Sequence, residues 1–449
     1  MMRHTREDSG QTLVIVAVTM PILLLFVGLA VNSGLAYVVK AKLSKAVDAA
    51  CLTGMKALPQ GQTTATTLAT HIFNANYGAS PPTPTITFPT DSYGDQQVSV
   101  AATTRVPNYF ASGLFPTWNV SATAEATRGK LVMALILDRS GSMNGSTGTT
   151  KGGPSLQNAV PNFVNDFDNT LDSVAMISFA SNAAVNFAIN TNFQTPITNA
   201  VNAMTFAGGT FGTGGTYVAA KGPPLALADN QIGSVPIQPG QNVTRVAVYF
   251  TDGLMNTIQD TFTCWTSSSA KVTPLLNYGG YDPGTNEVDV FDPVSGTDWC
   301  PSGNQGSGSC ITGNANEIAY ISSGKACQNP WGTYVTKFTS QQYGLQTINR
   351  ANVTAEAQYR AIQTANTMRA ENPGVFVFVI GLGNQISGST STQNFLGQLA
   401  NDPNYPGYNS ALPAGELFIV PDCPSSSCTQ ELNTAFQTIA AKILLRLTQ

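Results

Sequence analysis

Seven apolar residues in a row, Leu131–Leu137, stand between Lys130 and Asp138. A run that is apolar at every position, rather than at alternate ones, reads as a strand buried on both faces. Such strands lie in parallel sheets covered by helices on each side. Similar runs recur at Val174–Phe179, Arg245–Phe250, Val375–Ile380 and Leu417–Val420. Between several of them apolar residues repeat at helical spacing: Leu156, Val160, Phe163, Val164, Phe167 and Leu171, then segments within Thr354–Ala370 and Cys428–Arg446. The alternation predicts an α/β architecture, a doubly wound, mostly parallel sheet whose sites sit at the carboxyl ends of its strands.

The beginning of the chain is constrained by its solvent instead. No charged residue occurs from Ser9 to Val39, and Leu13–Val31 is almost continuously apolar. Nineteen residues at ~1.5 Å each make a helix of ~29 Å, about the thickness of a bilayer's hydrocarbon core. Pro21 within it is tolerable in a membrane. A cleaved signal peptide is the alternative, but its apolar stretch is shorter, about 7–15 residues. The segment therefore reads as an uncleaved transmembrane anchor that meets the lipid bilayer through residues 13–31. Arg3 and Arg6 precede it and Lys40, Lys42 and Lys45 follow, so charge does not fix its orientation.

The apolar pattern continues past the anchor as a helix, with Leu43, Ala46, Val47, Ala50 and Leu52 at three- and four-residue spacings. Residues 58–128 then alternate short strand-like runs (Thr85–Phe88, Gln97–Val106, Trp118–Ala126) with Pro- and Gly-marked turns. They predict a small membrane-proximal α+β module. Three divisions follow: 1–57, the anchor and its continuation; 58–128, the module; and 129–449, the α/β domain. The last contains an insertion at about 258–350, rich in Gly, Ser, Asn and Pro, with four cysteines and three tryptophans.

Composition excludes several functions. Charged residues make up 10% of the 449 and the net charge is -4, so nucleic-acid binding by phosphate neutralisation is not expected. His4 and His71 are the only histidines, which leaves residues 72–449 without a His-based triad, zinc cluster or imidazole base. No enzyme activity is expected. Gly381-Leu382-Gly383 lacks the third glycine of a dinucleotide loop at position 386. Gly324-Lys325-Ala326 lacks the hydroxyl of a phosphate loop.

Of seven cysteines, Cys264, Cys300, Cys310, Cys327, Cys423 and Cys428 form an even downstream set in polar sequence. They predict two or three disulfides in an oxidising compartment, with the pairing open. A four-cysteine zinc site is the alternative, without the tight pairs such sites use. The disulfide reading orients the chain, with the bulk of it outside the cytoplasm. The insertion's acidic residues, Asp282, Glu287, Asp289, Asp292 and Asp298, lack EF-hand spacing and read as a solvated loop rather than a calcium site.

One constellation carries chemistry. Asp138, Ser140 and Ser142 form Asp-x-Ser-x-Ser at the carboxyl end of the first buried strand. Thr216, in Thr213-Gly214-Gly215-Thr216, opens a helix-like segment, and Asp252, in Thr251-Asp252-Gly253, ends another strand. Thr210 is a rival for Thr216. Carboxylates with hydroxyls and no Cys or His make a hard-oxygen set suited to Mg²⁺ or Mn²⁺.

Two resemblances rest on these residues. Ser9-Gly10-Gln11-Thr12-Leu13, the apolar helix and Leu43-Ser44-Lys45-Ala46-Val47-Asp48-Ala49-Ala50 resemble the N-terminal region of TadG-like proteins of Tad (Flp) pilus assembly. Counting from Gly10, Ile15 stands where a pilin-like processing site would carry Glu. The five oxygen positions, with Thr216 74 residues after Ser142 and Asp252 36 after Thr216, resemble the von Willebrand factor A domain and its metal-ion-dependent adhesion site. That resemblance implies direct or nearly direct ligation by Ser140, Ser142 and Thr216, with metal-bound waters held by Asp138 and Asp252. It implies a protein partner that supplies a carboxylate. Together the resemblances imply a single-pass bacterial membrane protein, its C-terminal domain periplasmic or extracellular, acting in pilus assembly or anchoring and surface adhesion. The alternative is a stand-alone adhesin for a host or matrix protein.

Overall fold

The computed structural model describes the chain apart from residues 1–7, 110–116, 145–151, 181–182, 207–223, 256, 265–274, 282–287, 293–296, 300–335, 348–349, 422–426 and 448–449. The chain forms two compact units, one of residues 1–129 and the other of residues 130–447.

The first unit begins with one long helix, α1 (Asp8–Ala57), whose two halves meet different surroundings. Leu13–Val31 leaves nearly every apolar side chain exposed, and the helix is long and apolar enough to cross a membrane. From Leu43 onward the same helix is packed. Leu43, Ala46, Val47, Ala50 and Met55 are buried against Ala65, Ala69 and Phe73 of α2 (Gln62–Tyr77). They also meet Val98, Val100 and Val120 of a three-stranded antiparallel sheet, β1 (Thr85–Thr87), β2 (Gln96–Pro107) and β3 (Thr117–Arg128). The small residues at three- and four-residue spacing are what let α1 lie close to the sheet. Residues 58–128 and the second half of α1 thus share one core.

The second unit is built on a six-stranded sheet of β4 (Lys130–Asp138), β5 (Ser173–Phe179), β6 (Ala183–Asn190), β7 (Val243–Thr251), β14 (Val375–Leu382) and β15 (Leu417–Val420). Its order is β15-β14-β7-β4-β5-β6, with five strands parallel and the edge strand β6 antiparallel. Odd and even positions of β4 divide between two cores. Leu131, Met133, Leu135 and Leu137 meet α3 (Gly152–Val164), α4 (Gln194–Asn202) and the last helix, α9 (Ser427–Leu447). Val132, Ala134 and Ile136 meet α5 (Pro224–Gly233), α6 (Arg350–Ala370) and α8 (Thr390–Ala400) on the other face. A single turn, α7 (Asn384–Ser387), precedes α8. Helices on both faces make this the doubly wound, mostly parallel sheet that the continuous apolar runs predict.

Two features differ from the sequence reading. The helix predicted to carry Phe167 and Leu171 ends at Val164, and Asp168 begins a turn in which its carboxylate accepts the Thr170 and Leu171 N–H groups. The insertion is more than a polar loop. Its strands β8 (Thr257–Cys264), β9 (Leu275–Tyr281), β10 (Val288–Asp292), β11 (Thr297–Trp299), β12 (Thr336–Ser340) and β13 (Gly344–Thr347) form a second six-stranded sheet, paired antiparallel throughout. Cys264 and Cys428 lie on β8 and α9, while Cys300, Cys310, Cys327 and Cys423 lie outside the described residues, so the disulfide expectation falls there as well.

Candidate metal centre

The parallel register sets the site. Leu137 pairs with Phe250, so the next residues, Asp138 and Thr251, emerge side by side at the carboxyl ends of β4 and β7. Asp138 is buried, and both its oxygens are engaged. Oδ1 accepts the Ser140 N–H at 2.8 Å, and Oδ2 accepts the Thr251 hydroxyl at 2.8 Å. The first contact closes an Asx turn, the local bond that Asp side chains favour. Arg139 N–H donates to Phe179 O of β5 at 2.8 Å, and a 3₁₀ turn over Gly141–Asn144 carries the loop away.

Turning there brings Ser140 and Ser142 towards the end of β7. Their hydroxyl oxygens lie 3.0 Å apart, and Ser142 donates to Asp252 Oδ1 at 2.9 Å. Ser140 Oγ stands 3.5 Å from the same carboxylate oxygen. Four of the five predicted positions, Asp138, Ser140, Ser142 and Asp252, therefore lie together on one rim. The fifth, Thr216, and its rival Thr210 lie outside the described residues. Thr251, which the sequence offers only as the neighbour of Asp252, is the donor that fixes Asp138. The signal for it was the strand pairing, which sets position 251 beside position 138.

The electrostatics of the rim are unbalanced. Burial raises the Asp252 carboxyl to about 7, and the charge of Asp138 adds to the rise. Asp138 is also raised, by burial first, against the hydrogen bonds from Ser140 and Thr251 that favour its ionised form. Two neighbouring carboxylates, one buried and one half-buried, whose described partners are hydroxyls and backbone N–H groups, attract a positive charge, and at neutral pH Asp252 takes a proton in part. A hard divalent cation would satisfy the same oxygens better than a proton does. The residues present thus fit Mg²⁺ or Mn²⁺. Among the described residues no group of three or more His, Cys, Asp or Glu side chains comes together, so a site of the zinc type is not among them.

The family model of the von Willebrand factor type A domain matches residues 133–270, a span that holds all five positions predicted from the sequence. The chain carries a von Willebrand factor type A domain. A second model, for putative Flp pilus-assembly TadE/G-like proteins, matches residues 10–57, the length of α1. No curated protein matches the chain.

Solved structures resemble it distantly. The von Willebrand factor domain of the type V pili tip protein of Porphyromonas gingivalis is 15% identical with a TM-score of 0.38, over 72% of this chain and 98% of that one. The PilB minor pilin of Streptococcus sanguinis is 14% identical with a TM-score of 0.37, over 82% of this chain and 79% of that one. Proximal thread matrix protein 1 of the mussel byssus is 12% identical with a TM-score of 0.32, over 71% and 46%.

Proposed function

We propose that this protein is held in a bacterial membrane by α1. Its von Willebrand factor type A domain, outside the cytoplasm, captures a protein partner through a divalent cation during assembly or anchoring of a Flp-type pilus. The convergence of Asp138, Ser140, Ser142 and Asp252 on one rim carries the metal-dependent part of this reading. The TadE/G-like match over 10–57 supports the pilus context, and the exposed apolar stretch 13–31 supports the membrane.

In this reading Ser140 and Ser142, with Thr216, hold Mg²⁺ or Mn²⁺, while Asp138 and Asp252 hold its waters. The ion supplies a coordination position for an Asp or Glu of the partner. The chain's own part is positioning: the Ser140 N–H and the Thr251 hydroxyl fix both oxygens of Asp138. Binding rather than turnover is proposed, because residues 72–449 contain no histidine to act as a base beside the serines.

Capture of pilus components from solubilised cell envelopes tests the proposal. Retention in Mg²⁺, loss in a chelator and loss with Asp138→Ala are expected. Equal retention by the Asp138→Ala protein would overturn it.

A further inference from the structure

The first unit holds a second apolar feature besides the anchor, and α1 itself positions it. Asn32 is the first residue after the apolar stretch, and it is buried. Its side-chain amide donates to Asn108 Oδ1, and its Oδ1 accepts the Tyr109 N–H at 3.3 Å. At the other end of the contact, the Cys51 thiol donates to Val98 O at 3.1 Å. Between these two contacts α1 advances ~29 Å, and β2 covers ~33 Å in the opposite sense. The hairpin of β2 and β3 therefore lies along α1, with its Asn108 end pointing back towards the apolar stretch.

Gly28, one turn before Asn32 and on the same helix face, is buried, whereas Gly34 is exposed. At this level two tyrosines face outward: Tyr109 is 67% exposed and Tyr37 is 75% exposed. No charged residue occurs between Arg105 and Glu125, the span that contains this end of the hairpin. The opposite end of the same hairpin does carry charged residues, Asp91, Asp95 and Arg128. Tyrosine sits where an apolar body and a polar tip are both satisfied, at the headgroup level of a bilayer.

We propose that the Asn108–Tyr109 end of the hairpin is a second membrane contact. Tyr109 and Tyr37 lie in the lipid headgroup layer beside the anchor, and the Asn32 amide locks the hairpin at that depth. The inference rests on α1 being a membrane anchor. Its consequence is that the first unit stands against the bilayer in one fixed pose instead of swinging on a tether.

Photocrosslinking tests it in the full chain in cell membranes. A benzophenone amino acid replaces Leu24, Tyr93 or Tyr109 singly, and adducts are read by mass spectrometry. Lipid adducts at positions 24 and 109, severalfold above position 93, are expected. Lipid at 24 with none at 109, or with a protein adduct at 109 in its place, would overturn the proposal while leaving the anchor reading intact. Equal lipid labelling at 93 and 109 would also overturn it, as contact without a preferred end. Absence of lipid at 24 would sink the anchor reading and this inference with it.

Discussion

The two ends of the parallel sheet treat their charges in opposite ways. At the amino end the chain itself supplies partners for Asp172 and Arg245. The fully buried Asp172 accepts the Leu131 N–H at 3.0 Å and the Asp168 N–H at 2.8 Å, tying the start of β4 to the turn before β5. Arg245 at the start of β7 pairs with Glu371 at 2.8 Å, ahead of β14. At the carboxyl end the described partners of Asp138 and Asp252 are hydroxyls and backbone N–H groups, and both carboxyls are pushed towards their protonated forms. Charges answered within the chain serve stability. Under the proposed function, the charges at the carboxyl end are the ones a bound cation would answer.

The contrast is open to attack by substitution at each end. The largest effect belongs at the amino end. Asp172→Ala leaves two buried N–H groups without an acceptor and should lower stability by about 3 kcal/mol, read as a shifted urea midpoint. A shift no larger than that of a surface substitution would mean that this end is not the structural one.

Metal comes next in size. At a hundredfold excess over its dissociation constant, Mg²⁺ should stabilise the native chain by about 2.7 kcal/mol. Asp138→Ala should remove that gain. In a chelator the same change should cost only about 1 kcal/mol or less, because relief of the repulsion at Asp252 offsets the lost hydrogen bonds. A variant that unfolds equally with and without Mg²⁺ at far lower urea would place Asp138 among the structural carboxylates.

The smallest effect is a pH slope. Asp229 of α5 is raised from 3.8 to about 6, by burial first and then by the charge and hydrogen bonding of Glu371, with Arg245 opposing. Between those values the folded chain holds a proton that the unfolded chain has released, so stability falls as pH rises from about 4 to about 6. Asp229→Asn should lessen the slope over that range, leaving the share that comes from Asp138 and Asp252, and leave Mg²⁺ binding unchanged. A profile identical to the native one would mean that Arg245 and Glu371 already settle the charge at this end.

Much of this was legible because it is local. Leu131–Leu137 and Leu417–Val420 announce buried strands by being apolar at every position, and Asp138-x-Ser140-x-Ser142 falls where one ends. The edge strand β6 is not announced by a continuous apolar run. Val185, Phe187 and Ile189 alternate with more exposed residues, the period-2 pattern of a strand covered on one face. The second sheet was illegible for another reason. Its strand β8 pairs with β12 more than seventy residues away, and Gly279 and Gly280 stand inside β9, so neither composition nor spacing declares it. Thr251 was hidden likewise, since its role exists only through pairing with a distant strand.

The most direct test of a cation-binding rim is calorimetric titration of Mg²⁺ and Mn²⁺ into the full chain in detergent, beside Asp138→Ala. Saturable one-site binding that the substitution abolishes is the predicted result. Binding of equal strength by both proteins would contradict the account, because the ion would then sit somewhere other than between Asp138, Ser140, Ser142 and Asp252.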